Sequence, residues 1–214
     1  DELTLIGPRV EWSGESGADS IAIPAGLRDF LSSFARLQVR DAHLIGEVDR
    51  DGVPITLESL TVDIDLARDR SRRTLRVSID SPDERLLSAE GSGTGNPFEL
   101  NQFSGELQGS LSGAGVSYLA QWLQSDLTAE GRADFWFAVN RGRPTVVMQV
   151  NLTQIAVTGQ TALNLQQLRV DSVVDGPFDR ASIWIDDGSL TADDQTFLLP
   201  RIHLHRLGRN WKML

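Results

Sequence analysis

The chain has 214 residues and a mass of 23.5 kDa, enough to bury a core in one large all-β domain or two small ones. Its formal charge of −10 argues against nucleic acid as a partner, because phosphate binding requires clustered cations. It contains no cysteine, which excludes disulfides, thiolate catalysis and cysteine-ligated metals.

The chain opens on the strand-like segment LTLIGPRVEW, residues 3–12. No apolar run approaches the ~18 to 20 residues that would span a bilayer. We expect the whole of 1–214 to be one section of a longer protein, with any membrane anchor outside these residues.

Alternation of apolar and polar residues dominates the chain, a pattern typical of half-buried strands. It is clear over residues 60–66 and 75–79, and longest over 131–159, where NRGRP marks a turn. Further strands are predicted in LQVRDAHLIGEV, FELNQFSGELQGSL, ALNLQQLRVDSVV, ASIWIDDGSL and FLLPRIHLHRL. Short Gly, Pro, Asn and Asp connections favour antiparallel meanders, since parallel pairing needs longer crossovers.

Two segments have helical spacing instead. Apolar residues recur at this spacing in PAGLRDFLSSFARL, residues 24–37, and in GVSYLAQWLQSDL, residues 115–127, which predicts two short amphipathic helices. Two such helices are too few to cover every predicted strand, so most of the sheet must pack on itself or stay partly open.

Alternation is interrupted at four places by two polar residues between apolar ones. These are LESL (57–60), LNQF (100–103), LTQI (152–155) and LQQL (165–168). A β-bulge would absorb the extra residue and restore the face, whereas a strand end or tight corner is an equal alternative at any single place. Together they favour a long, curved, bulged sheet over a flat sandwich.

Two eight-residue segments share one pattern, which suggests repeated β units. LQVRDAHL (37–44) and IWIDDGSL (183–190) both read apolar, any, apolar, any, Asp, small, any, Leu. A loop, GSGTGN, marks a possible sub-boundary near residues 91–97. It matches neither a dinucleotide fingerprint nor a P-loop.

No catalytic motif stands out. His203 and His205 would project from one face of a strand, but without a third ligand we expect them on the solvated face and predict no metal. The acidic segment 186–194 lacks EF-hand spacing, so its aspartates are interpreted as turn residues. No GxSxG elbow or paired-carboxylate site is present. We therefore predict no enzyme activity and no cofactor.

The segment GELQGSLSGAGVSYLAQWLQSDLTAEGRADFWFAVNRGRPTVVMQVNLTQIAVTG resembles the AsmA-like superfamily, and within it most closely the YhdP branch, which is related to TamB. A strand ending near Gly113, a short helix YLAQWL, the strand LTAEGRADFWF and a hairpin into a second long strand carry the resemblance. The terminal LLPRIHLHRLGRNWKML is also similar to the family's Trp-containing strand segment. About two thirds of the chain, from Leu37 onward, is covered.

The resemblance implies a mainly β fold: a long curved antiparallel sheet forming a taco-like apolar groove, as in bridge-like lipid transfer proteins. It implies a periplasmic section of a protein anchored in the inner membrane of a Gram-negative bacterium, with phospholipid acyl chains, neighbouring sections of the same protein and other envelope proteins as partners. The residues expected to line the groove are Phe135, Phe137, Val139, Val146, Met148, Val150, Leu152, Ile155, Val157, Leu163, Leu165, Ile183 and Ile185.

Patterning alone cannot separate a groove lining from an ordinary core. The alternative is that the same residues fill a closed β-sandwich, a structural or protein-interaction module of the envelope without lipid. A carbohydrate-active jelly-roll enzyme ranks third. Trp136 falls on the opposite face of its strand, as a surface, edge or partner-contact residue.

Overall fold

The computed structural model describes residues 2–15, 34–50, 53–69, 71–95, 103–122, 126–158, 163–176, 180–207 and 210–213. Its strands are β1 Glu2–Ile6, β2 Arg9–Glu15, β3 Arg36–Arg50, β4 Val53–Asp69, β5 Arg72–Asp80, β6 Arg85–Thr94, β7 Ser104–Ser112, β8 Asp126–Asn140, β9 Arg143–Thr158, β10 Leu163–Asp175, β11 Ser182–Ala192, β12 Gln195–Leu198, β13 Ile202–Leu207 and β14 Asn210–Met213. Among these described residues one helix, α1, spans Gly113–Trp122.

All strands of the described part belong to one sheet, in the order β1-β3-β4-β5-β6-β7-β8-β9-β10-β11-β13-β14, with β2 beside β3 and β12 beside β11. From β3 onward each strand pairs antiparallel with its neighbour. The predicted fold class is therefore confirmed as a long, curved, open antiparallel sheet. The prediction of a loop that starts at Gly91 is wrong for its first four residues, because Gly91–Thr94 belong to β6 and pair with β7. The described strands form no second, facing sheet of the kind that a sandwich requires.

The predicted meander is wrong at the start of the chain. β1 and β2 both run parallel to β3, one beside each half of that long strand. Gly7, at φ 62°, and Pro8 divide the two short strands. Their backbone stays tied to β3, since Gly7 N–H donates to the Arg40 carbonyl and His43 N–H to the Pro8 carbonyl, both at 2.9 Å.

Two hairpins close through two-residue turns with positive φ at both central residues, which defines type I′ geometry. Arg141 and Gly142, at φ 48° and 80°, join β8 to β9 at the predicted NRGRP turn. Asp193 and Asp194, at φ 48° and 61°, join β11 to β12. These aspartates are turn residues, as the sequence predicted.

Two of the four predicted bulges are confirmed. β4 carries one extra residue between Leu57 and Leu60 relative to β3. β9 carries one between Thr153 and Ala156 relative to β8, where Gln154 has a φ of 50°. The extra residue bends the strand and returns its apolar residues to one face.

Of the other two interruptions, one is not a bulge of this kind and the other lies mostly outside the described residues. In LQQL, Leu165 pairs with Ile155 and Leu168 with Leu152 in unbroken register, so β10 follows the irregular course of β9. In LNQF, residues 100–102 lie outside the described residues, and Phe103 precedes β7 rather than belonging to it.

The two similar segments share a structural feature. Relative to β4, β3 carries an extra residue at Arg40 and Asp41, and relative to β10, β11 carries one at Asp186. Both irregularities occupy the same place in the eight-residue pattern. The repeat is therefore a repeat of strand geometry.

α1 confirms the second predicted helix, although its packing differs from the predicted apolar stripe. Ser112 caps its first turn by accepting from Gly115 N–H at 3.1 Å. Gly113 and Gly115 are buried, whereas Leu119 is 50% exposed. A Cβ at Gly115 would meet the Leu86 backbone, so the helix approaches the ends of β6 and β8 through its glycines.

The first predicted helix, residues 24–37, lies mostly outside the described residues. At its end, Arg36 and Leu37 begin β3 instead, because their alternation continues into that strand. Within the described part of the chain, no helix is long and apolar enough to cross a membrane.

Candidate functional site: an apolar face shared by the strands

One face of the sheet carries an apolar row that runs from strand to strand. Residues paired across neighbouring strands share a face, so the register defines the row directly. Its members, in order across the sheet, are Leu3, Leu37, Leu66, Leu75, Gly91, Leu107, Phe137, Val146, Val174, Ile183 and Leu204. Every member is apolar or glycine, across eleven strands.

Two further rows lie beside it on the same face. One consists of Leu5, Val39, Ile64, Val77, Ala89, Gly109, Phe135, Met148, Ser172, Ile185 and Ile202. The next consists of Ala42, Val62, Ile79, Leu87, Leu111, Ala133, Val150, Val170 and Gly188. Ser172, which is buried, is the only polar member of the three rows. We call these three rows the apolar face.

The structure brings the predicted lining residues together. Phe135, Phe137, Val146, Met148, Val150, Ile183 and Ile185 belong to the three rows. Val139 and Leu152 continue the same alternation along β8 and β9, and Ile155 and Val157 follow the β9 bulge. Leu165 pairs with Ile155, and Leu163 with Val157. All of them are therefore positions of one connected surface.

Side-chain exposure on this face fits a single curved layer. Most of its residues are half-buried, as expected where neighbouring side chains shield one another without a second layer. A few are buried, among them Val139 at 3% and Ala42, Leu152 and Ile155 at 4% exposure. The buried positions therefore include residues near the β8–β9 hairpin, near the β9 bulge and at the β3 irregularity.

Glycines under aromatic rings deepen the apolar face at β6 and β7. Phe103 lies over Gly93 and Gly105, such that a Cβ at Gly105 would come 2.6 Å from its Cζ. Phe135 lies over Gly109 in the same manner, at 2.7 Å. A hollow of about 200 Å³ opens beside Phe103, lined largely by apolar side chains including Leu66, Leu75, Leu107 and Phe137.

The opposite face is polar over its first half. Between the first two apolar rows lie Thr4, Gln38, Asp65, Arg76, Glu90 and Gln108 in cross-strand register. Arg36 donates to both carboxylate oxygens of Asp65 at 3.1 and 2.8 Å, and this hydrogen bonding lowers the pKa of Asp65 below its ordinary value.

A second carboxylate on this face is held in the same way. Asp175 of β10 accepts from Arg143 Nε at 3.2 Å, from Arg143 Nη2 and from Thr145 Oγ1 at 2.9 Å. The hydrogen bond from Arg143 is the main cause that lowers the pKa of Asp175. Both pairs tie neighbouring strands together on the polar side, away from the apolar face.

The same polar-side register becomes aromatic and aliphatic from β8 onward. Trp136, Val147, Val173, Trp184 and His203 follow Gln108. Trp136 lies opposite the apolar face, as predicted, and is 39% exposed. His203 and His205 lie on the face opposite Ile202 and Leu204, as predicted, but they are less exposed than a solvated face would make them. Both are half-buried, because His203 stacks on Trp184 with ring centroids 4.8 Å apart and His205 Nδ1 lies 2.9 Å from Ser182 Oγ.

Within the described ranges, no group of three or more His, Asp or Glu side chains is placed to hold a metal ion. Sequence reasoning missed two features of the apolar face, the ring of Phe103 and the glycines beneath it. The signal was present as glycines at 91, 93, 105 and 109 in otherwise strand-like segments, since a strand glycine often marks a close approach. Comparison with protein-family models, with curated proteins and with solved structures finds no match.

Proposed function

We propose that this chain is a noncatalytic section of a lipid conduit that carries phospholipids between the inner and outer membranes of a Gram-negative bacterium and supports outer-membrane integrity. The observation that supports it is the unbroken apolar row from Leu3 to Leu204 on an open sheet. Eleven strands at a spacing of about 4.8 Å extend over about 50 Å, longer than one acyl chain.

The energetic argument concerns the barrier to lipid exchange. Burying one methylene is worth about 0.8 kcal/mol, so exposing about thirty methylenes to water costs on the order of 25 kcal/mol. A continuous apolar surface removes most of that barrier, because an acyl chain on it stays in contact with hydrocarbon. The acyl chain does not need to bind tightly at any one position. The half-buried residues of a single layer provide an open surface that is similarly apolar along its length.

The polar face is the side we assign to the periplasm. The partners are the acyl chains of phospholipids, neighbouring sections of the same full-length protein at the sheet edges, and other envelope proteins. An inner-membrane anchor would lie outside this chain. The conduit needs no enzyme activity, since it lowers a transfer barrier without making or breaking a bond.

Photo-crosslinking in cells tests the proposal at the resolution of single residues. A photoreactive amino acid is placed in turn at positions 146, 147, 148 and 149 of β9 in the full-length protein. We expect phospholipid adducts from Val146 and Met148 and none from Val147 and Gln149, because successive strand residues point to opposite faces. Equal labelling at all four positions, or no lipid adduct, would overturn the proposal.

A charge-insertion pair provides a second test. Val150→Arg places a guanidinium on the apolar face, and Gln149→Arg places the same group on the polar face one residue away. By native mass spectrometry, Val150→Arg and Phe137→Asp should abolish co-purified phospholipid, whereas Gln149→Arg should retain it. Circular dichroism verifies that each variant keeps its strands. A folded protein that never carries lipid would instead favour a structural or protein-interaction module.

A further inference from the structure

A second hollow lies on the polar face, and most of the residues that line it lie outside the three apolar rows. It measures about 620 Å³ and extends across β5 to β9, within the ordinary size range of small-molecule sites. Trp136 borders it, with Gln108 on one neighbouring strand and Val147 on the other. The ring of Trp136 is 39% exposed and lies where this face changes from polar side chains, with Gln108 on one side, to aliphatic ones, with Val147 on the other. An exposed Trp at such a boundary offers an apolar ring beside hydrogen-bonding groups.

The charges around this hollow are already matched. Arg132 Nε lies 2.6 Å from Asp134 Oδ1, Arg85 Nε lies 2.9 Å from Asp80 Oδ1, and Arg76 Nε lies 3.8 Å from Glu90 Oε2. Each of these three arginines is paired with a carboxylate, so none of them is left unpaired to bind an anionic ligand. The pairing therefore favours a ligand that is polar and uncharged.

Other polar groups also line the hollow, and several of them already have one partner: Gln108 Nε2 donates to Glu90 Oε1 at 3.2 Å, and the Ser88 and Ser110 hydroxyl oxygens lie 3.4 Å apart. Each of these groups retains further hydrogen-bonding capacity. The amides of Gln108 and Gln149, the carboxylate of Asp134 and the hydroxyls of Ser88 and Ser110 face the same hollow as the indole. Amides and hydroxyls both donate and accept. A flat aromatic ring beside such groups matches a pyranose sugar, which presents an apolar face of C–H groups and a rim of hydroxyls.

We propose that this hollow binds a neutral oligosaccharide, with Trp136 stacking on a sugar ring and with Gln108, Asp134 and Gln149 hydrogen-bonding its hydroxyls. The site would hold the chain against a glycan while the opposite face remains free. The proposal does not depend on lipid transport, since no residue of the three apolar rows carries the argument.

The test uses chitotetraose, cellotetraose and maltotetraose as probes, with saturation-transfer NMR to detect binding and calorimetry to measure Kd. We expect at least one probe to bind with a Kd of about 1 mM or tighter. Trp136→Ala should weaken it about tenfold, and Trp136→Phe should weaken it less, because a ring is kept. Gln149→Ala should weaken it about threefold.

Two controls separate this site from the rest of the molecule. Leu119→Ala removes an exposed apolar side chain of α1 outside the hollow and should leave Kd unchanged. Val150→Arg, on the other face, should leave glycan binding intact even where it removes lipid. Absence of binding by all three probes, an unchanged Kd in Trp136→Ala, or equal binding of a neutral hexapeptide would overturn the proposal.

Discussion

The ring of Phe103 occupies the space above Gly93, where an added Cβ would lie 2.5 Å from Phe103 Cε2 and 2.9 Å from the Ser104 carbonyl oxygen. Gly93→Ala should therefore destabilise the protein by about 1 to 3 kcal/mol through overpacking. In a Phe103→Ala background the same substitution should cost less, with a coupling energy of at least about 1 kcal/mol. Urea unfolding of the unsubstituted protein, the two single variants and the double variant measures this coupling energy.

Gly7→Ala provides the matched control for that cycle. No atom lies within 4 Å of a Cβ at Gly7, so its cost arises only from the positive φ of 62°. Its effect should be the same with or without Phe103. A coupling of zero between Gly93 and Phe103 would show that the ring does not depend on the glycine beneath it.

A substitution in the Arg141-Gly142 turn should stabilise the protein. Type I′ turns favour Asn at the first central position, whereas Arg at a φ of 48° bears the steric cost of the left-handed region. Arg141→Asn should raise stability by about 0.5 to 1 kcal/mol, and Gly142→Ala should lower it by about 1 kcal/mol. Thermal unfolding distinguishes them, and a loss of stability in Arg141→Asn would contradict the turn assignment.

Acid should weaken the fold through Asp65 and Asp175. Their pKa values are lowered in the folded protein by Arg36 and Arg143, so their contribution is complete above the unfolded value of about 3.9 and is lost as pH falls through the folded value. Asp65→Asn and Asp175→Asn should flatten the decline of the urea midpoint below about pH 4.

Asp83→Asn, in the exposed turn between β5 and β6, changes the net charge by the same amount and should leave the acid decline intact. Because the Arg143 side chain is 71% exposed and that of Arg36 is 41% exposed, concentrated salt should reduce the effect of the two paired aspartates, more at Asp175 than at Asp65. Carboxyl NMR titration provides a direct check on the two lowered pKa values.

His203 and His205 offer a matched pair of substitutions on one strand. His203 Nε2 is buried without a hydrogen-bond partner among the described residues, so His203→Phe keeps a ring against Trp184 and should stabilise the protein by about 1 kcal/mol. His205→Phe loses the contact with Ser182 Oγ and should destabilise it by about 1 kcal/mol. Chemical unfolding at neutral pH measures the stability of both variants. Equal changes in stability would contradict the different surroundings assigned to the two imidazoles.

Strand positions and faces were predictable because alternation is a local property. The spacing of Phe135, Phe137 and Val139 is enough to place them together. The interruption before Ile155 indicated the β9 bulge, although the same pattern in LQQL is not a bulge. Each hairpin sets the register of the two strands that it joins. Register across many strands therefore follows from the same short-range rules, applied one hairpin after another.

Features that depend on distant parts of the chain were not predictable from the pattern. The parallel pairing of β1 and β2 with β3 joins residues far apart in the chain, such as Glu2 and Arg36, and alternation does not encode the direction of pairing. The buried side of α1 was missed because Gly115, rather than Leu119, makes the close approach. The half-burial of His203 depends on Trp184 two strands earlier in the chain.

The antiparallel order of β3 to β11, in which each strand pairs with those next to it in the chain, has a consequence for how such a protein can vary in length. Each hairpin of the sheet contacts only its neighbours, so the structure is nearly one-dimensional. As in a repeat protein, its stability is then a sum of contributions from the units and from the junctions between them. Insertion or loss of one hairpin would lengthen or shorten the sheet by about 10 Å. The register on either side would be preserved, so the apolar rows would lengthen or shorten by whole hairpins without interruption.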